Sequence, residues 1–195
     1  MNAGRNFYFM LPMGLTVLDL SAYVGLLAVG AVTLNIFLGL LMAFRFHNWT
    51  GYIALALSIL HPVILLLNKN PRFLVFDLVY PVHSPAQPFD NTIGAVALYL
   101  IAFVVGTSYL RITLGRHLWK SFHFSIYFAA AALFWHSLFT DPSLKNDPVD
   151  WFDGGKLFVE SCLVLVAAVS LLRLRHARKK AFHARQIAQQ IAMSE

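Results

Sequence analysis

Long apolar runs, each closed by charged, proline or glycine positions, recur five times along the chain. They predict membrane-crossing helices over roughly residues 22–44, 49–67, 92–110, 119–139 and 157–172, since about 20 apolar residues are needed per span. The connections alternate in character. "RFHN" (45–48) reads as a tight turn, and "RITLGRH" (111–117) as a second turn with Gly115 as a helix stop. On the other side, 68–91 is long and holds four prolines, and "TDPSLKNDPVDWFDGGK" (140–156) is rich in turn formers. Beyond Arg173 the apolar positions Leu174, Ala177, Ala181, Ala184, Ala188 and Ile191 advance in steps of three and four. That pattern fits an amphipathic helix on a membrane surface or a partner, with a solvated charged tail as the alternative. The pattern predicts an all-α polytopic bundle, with residues 1–172 as a transmembrane domain and 173–195 as a basic tail.

Composition supports this division. Hydrophobic residues make up 58% of the 195 positions and charged residues 12%, about half the share of a typical soluble domain. The single cysteine, Cys162, excludes an internal disulfide and a Cys-x-x-Cys-His haem attachment, and reads as a small buried apolar residue. The N-terminal apolar run ending at Asp19 has no obvious small-residue cleavage site, so a removed signal peptide is not expected.

Charge orients the spans. One side receives ten basic residues, Arg45, Arg111, Arg116, Lys120 and six in the tail, against the single acid Glu195. The other side is net negative, with Arg5, Lys69, Arg72, Lys145 and Lys156 outweighed by eight acids. The basic side is expected to be cytoplasmic, which places the N-terminus outside and the C-terminus inside, in a membrane of the bacterial inner type. The basic excess fits contact with anionic lipid. It does not point to nucleic acid, because no aromatic-interleaved basic face accompanies it.

Four of the eight histidines lie at or within spans: His47, His61, His123 and His136. The second span spaces its pair 14 apart, which returns an ideal helix to within about 40° of the same face and separates the rings by about 21 Å along the axis. Gly51, Ala54 and Ser58 lie on that face between them. Small residues there leave room for something flat, although tight helix packing uses the same pattern. The fourth span is parallel to the second, so His123 falls level with His47 and His136 with His61. Its spacing of 13 leaves the pair about 140° apart on an ideal helix, so either the span is locally over- or underwound or the two ligand planes are splayed; a distorted helix between His123 and His136 is expected, a π-bulge being a common irregularity of this kind.

Two imidazoles per level do not meet the needs of zinc, which takes four protein ligands or three plus water. Haem iron needs only two axial ligands. The expectation is two non-covalent b haems stacked between the second and fourth spans. Arg45, Arg116 and Lys120 are candidate propionate partners on the inner side and Arg72 on the outer side, although for each taken alone charge anchoring at the membrane surface is the favoured reading. His83, His117, His176 and His183 lie in loops or the tail and read as surface residues.

With Gly115, Trp119, His123, Tyr127 and His136 in "LGRHLWKSFHFSIYFAAAALFWH", together with the His-x13-His span, the chain resembles the ferric reductase-like transmembrane family. That family includes NADPH oxidases, ferric-chelate reductases and the haem subunit of the bacterial methionine sulfoxide reductase system. The resemblance covers roughly residues 20–172 and implies that His47 and His123 ligate an inner haem, and His61 and His136 an outer one. Many members continue into flavin and nicotinamide domains. No Gly-rich nucleotide loop is present here, so no FAD or NAD(P)H site is expected in this chain and the reductant is expected to be a separate flavoprotein or quinol. In the methionine sulfoxide reductase haem subunits the first position of the second-span pair is often not histidine, so His47 argues for two complete sites and away from that assignment.

The expected function is that of a membrane cytochrome b, an oxidoreductase subunit carrying electrons to an external acceptor such as a ferric chelate, oxygen or a periplasmic partner. A haem subunit of a periplasmic reductase is the alternative within redox chemistry. A haem or metal transporter is the alternative outside it, but transport calls for acids or broken helices at a midplane site, and no span has an acid near its centre.

Overall fold

A computed structural model describes residues 15–41, 44–144 and 148–194, without the side chains of Phe44, Ala184, Ala188, Ile191 and Ser194. Arg5, Lys145, Asp147 and Glu195 of the charge count, and the side chains of Ala184, Ala188 and Ile191 of the tail stripe, lie outside this description. The described residues form the helices α1 (Val17–Leu40), α2 (Phe44–Leu65), α3 (Val75–Val79), α4 (Pro88–Tyr109), α5 (Arg111–His123), α6 (Ile126–Phe139) and α7 (Gly154–Ser194), with a 3₁₀ turn at Pro81–His83. Five stretches are long and apolar enough to cross a membrane: Val17–Leu40, Arg45–Leu65, Pro88–Tyr109, Arg111–Phe139 and Gly154–Ile187. The protein is an integral membrane protein built as an all-α bundle.

Several helices begin earlier than the apolar pattern indicates, for local reasons. Thr16 accepts a hydrogen bond from Asp19 N at 3.1 Å while Asp19 Oδ2 accepts from Thr16 N at 2.9 Å. This capping box satisfies two orphan donors and starts α1 five residues ahead of the predicted span. The residues of "RFHN" are helical and form the opening of α2 rather than a turn. Gly115 does stop a helix: it sits at φ +72° and ψ 160°, dividing α5 into a short first turn and an Arg116–His123 segment. Only glycine occupies that conformation without a Cβ penalty. α7 continues unbroken past residue 172, and its 41 residues make a rod of about 60 Å, twice the hydrocarbon thickness.

The core is thin, as a bundle solvated by lipid requires. Val29, Val32 and Ile36 of α1 meet Ala97 and Ile101 of α4, Ala129, Leu133 and Phe134 of α6, and Val159, Cys162 and Val166 of α7. Large apolar residues such as Leu27, Phe128 and Val164 face outward, which in lipid costs nothing. The close pairs are α1 with α2, α4 with α6 and α1 with α7, whereas α2 and α6 are not a closely packed pair. The two histidine-bearing spans therefore face one another across a gap.

Candidate functional site: two histidine pairs across a helix gap

The structure brings the four span histidines into two pairs. His47 and His123 have ring centroids 5.8 Å apart with their planes at 71°. His61 and His136 are 6.0 Å apart at 69°. All four rings are half-buried.

Three of the rings are oriented by backbone carbonyls of neighbouring helices. His47 Nδ1 donates to Asn35 O at 2.9 Å, His61 Nδ1 to Ser21 O at 2.8 Å, and His136 Nδ1 to Asp90 O at 2.8 Å. A carbonyl only accepts, so Nδ1 carries the proton and each Nε2 presents a lone pair. A glycine permits each approach. A Cβ on Gly39 would lie 3.0 Å from His47 Cε1, one on Gly25 3.0 Å from His61 Nδ1, and one on Gly94 2.8 Å from His136 Nδ1. The fourth ring differs. His123 Nδ1 is buried without a hydrogen-bond partner, as is Trp119 Nε1 one turn earlier, and the two rings lie 5.2 Å apart.

The span carrying His123 and His136 is distorted between them. α5 ends at His123 and α6 begins at Ile126. Ser125 N bonds Phe122 O at 3.0 Å and Tyr127 N bonds Phe124 O at 3.2 Å, both tight i→i+3 contacts. The segment is overwound rather than bulged. A 3₁₀ residue turns about 20° further than an α residue, so a few such residues recover part of the 140° mismatch.

At the His61–His136 level lies a cavity of about 430 Å³, lined by both rings, Gly25, Gly94, Ser58 and Ile101. A further part of its lining comes from the connection between α2 and α4, through Phe73, Asp77, Leu78, Pro81 and Ser84, and from Asn91 in the first turn of α4. Tyr99 of α4 pins that connection by a hydrogen bond to Val79 O. Lys156 also lines the cavity and went unnoticed as a site residue in the sequence. Its ammonium donates to Ser137 O, Leu138 O and Thr140 O at 3.0, 2.6 and 2.7 Å. All three protons are thus spent on the C-terminal carbonyls of α6, where a cation is favoured.

The remaining candidates are placed as follows. Arg45, Arg116 and Lys120 are exposed near the His47–His123 end, with Lys120 Nζ 6.0 Å from the Phe124 ring centroid. Arg72 is exposed and outside the cavity lining. Gly51 faces α1, where a Cβ would lie 3.3 Å from the Asn35 amide nitrogen. His83, His117, His176 and His183 are exposed. Sequence reasoning missed Ser21, Asn35 and the three glycines. The available signal was numerical: Ser21 to Asn35 and Gly25 to Gly39 repeat the 14-residue spacing of His47 to His61.

Among the described residues no group of three or more His, Cys, Asp or Glu side chains is arranged to hold a metal ion. Searches of curated proteins and of solved structures find no match. The sequence model described as "Ferric reductase like transmembrane component" matches residues 13–134, which takes in three of the four paired histidines and stops two residues short of His136. With well over half of its length matched, the chain belongs to the ferric reductase-like transmembrane family and is an integral membrane subunit of oxidoreductase type.

Proposed function

We propose that this chain is a membrane cytochrome b holding two non-covalent b haems, one between His47 and His123 and one between His61 and His136. It would carry electrons from a cytosolic flavoprotein or quinol to an acceptor outside the bacterial inner membrane. The observation that carries the reading is the pairing of rings at 5.8 and 6.0 Å across two helices that do not pack closely. A metal–imidazole bond is about 2 Å, so His47 with His123, and His61 with His136, would each be spaced to hold one metal ion between two ring nitrogens. Pairs, rather than clusters of three or more, are what a metal already held by four porphyrin nitrogens requires.

A bound b haem would supply a one-electron iron couple. The protein's own residues do the rest. Carbonyls of Asn35, Ser21 and Asp90 hold three rings in the tautomer that leaves Nε2 free, and such bonds raise the basicity of a ligating imidazole. The connection between α2 and α4 lines the outer cavity through Phe73, Leu78 and Pro81. Arg45, Arg116 and Lys120 would meet inner propionates, Arg72 an outer one, and Gly51 would let the first two helices close beside the inner pair.

Absorbance spectra of the purified protein, oxidised and then reduced, test the reading. Two haems per chain are expected, and His61→Ala should lose one while keeping the other. A folded, iron-free preparation from haem-replete cells would overturn it.

A further inference from the structure

Two of the four rings are oriented by α1, a helix that carries no histidine. At one level Ser21 O accepts from His61 Nδ1 at 2.8 Å. The same residue returns a bond, since Ser21 Oγ donates to His61 O at 2.9 Å and lies 3.1 Å from Nδ1. At the other level Asn35 O accepts from His47 Nδ1 at 2.9 Å. Asn35 likewise returns a bond, its amide donating to His47 O and, at 2.9 Å, to Thr50 Oγ1. One residue of α1 thus grips both the ring and the backbone of the histidine opposite, twice, in a single antiparallel register.

Each grip is followed four residues later by glycine: Gly25 after Ser21 and Gly39 after Asn35. The spacing has a physical reason. In an α-helix the carbonyl of residue i is already bonded to the N–H of i+4. A second donor must come in from the side, and there the Cβ of i+4, tilted toward the N-terminus, stands in its path. Glycine at i+4 clears it. A Cβ at Gly25 would sit 3.0 Å from His61 Nδ1, and one at Gly39 would sit 3.0 Å from His47 Cε1 and 3.2 Å from Nδ1. Ser21 is only 2% exposed, so its hydroxyl is not a solvating group.

We infer that Ser21 with Gly25, and Asn35 with Gly39, are positioning residues: a polar-x3-Gly unit, used twice on α1, that fixes the tautomer and rotation of His61 and of His47 as haem ligands. The inference rests on the haem reading above. It assigns the two levels independently, because the hydrogen bonds to histidine and the glycine clearance of each unit involve one histidine: His61 for Ser21 and Gly25, His47 for Asn35 and Gly39.

The test uses full-length, haem-loaded protein in detergent. The rate of haem transfer to excess apomyoglobin and the midpoint potential of each haem are measured for Ser21→Ala, Gly25→Ala, Asn35→Leu and Gly39→Ala. His61→Ala and His47→Ala identify which signal belongs to which level. Loss of an orienting partner of a metal-ligating histidine costs about 10- to 100-fold in affinity. Gly25→Ala, which displaces the ring from the Ser21 carbonyl, should speed loss of the His61-level haem by about 10-fold or more and shift its potential alone; Ser21→Ala keeps that main-chain carbonyl and removes only the Oγ bond to His61 O, so it should act on the same haem in the same direction by less. At the His47 level alone Gly39→Ala should have the larger effect, and Asn35→Leu, which keeps the Asn35 carbonyl and loses only the amide bonds to His47 O and Thr50 Oγ1, the smaller. Gly106→Ala, where an added Cβ meets nothing within 4 Å, should leave both unchanged. A purely structural role for α1 would move both haems together; that result, or no response from either, overturns the inference while leaving two-haem binding intact. A wild-type chain without haem overturns the cofactor reading and this inference with it.

Discussion

Gly94→Ala isolates the glycine clearance at His136, a ring oriented from α4 rather than α1. The added Cβ would lie 2.8 Å from His136 Nδ1, 2.9 Å from Cε1 and 3.0 Å from Cγ. Comfortable contact needs about 3.5 Å or more, so the ring must retreat by about 0.7 Å. Retreat strains the bond to Asp90 O, now at 2.8 Å, and disturbs the 6.0 Å spacing to the His61 ring. Overpacking of this kind costs about 1–3 kcal/mol, and a weakened hydrogen bond adds about 0.5–1.5 kcal/mol. Alanine recovers about 0.8–1 kcal/mol through its better helix propensity. The net is a loss of about 0.5–3.5 kcal/mol, worth about 2–4 °C in melting temperature per kcal/mol for a chain of this size. Gly106→Ala lies in the same helix with nothing near the new methyl, so it should gain the propensity term alone. Thermal unfolding in detergent, with visible spectra of both variants, checks the contrast. Gly94→Ala melting at or above wild type, with an unchanged spectrum, would refute the claim that this glycine exists to admit the imidazole.

Lys156→Met should destabilise the protein by about 1–3 kcal/mol, because it strips the donors from three carbonyls at the end of α6; an unchanged denaturation midpoint would contradict this. Thr16→Ala removes the α1 capping box and should cost about 1 kcal/mol, read in the same unfolding assay. Gly115→Ala forces a Cβ into φ +72° and should cost about 1–2 kcal/mol, whereas equal stability would mean that the break between the two parts of α5 is not conformationally fixed.

The sequence alone determined the number of spans, their apolar character and which histidines share a level. These are local properties. Apolar length sets a span, and 14 residues on one helix keep two side chains on one face whatever surrounds them. It also foretold a distortion between His123 and His136, since 13 residues do not close a helical repeat, but left overwinding, underwinding and splayed ring planes open; the tight i→i+3 bonds show overwinding. Helix ends moved for reasons outside the hydropathy pattern, as Thr16 and Asp19 show at α1. Only the tertiary structure decided what orients the rings. Ser21 meets His61 across 40 positions of sequence, and Lys156 reaches Ser137 across 19. Such contacts depend on how far each helix is rotated about its own axis, and that rotation is set by packing against its neighbours. A uniformly apolar helix such as α1 carries almost no amphipathic signal to fix it, so its two polar-x3-Gly units acquire meaning only when α2 is laid against them.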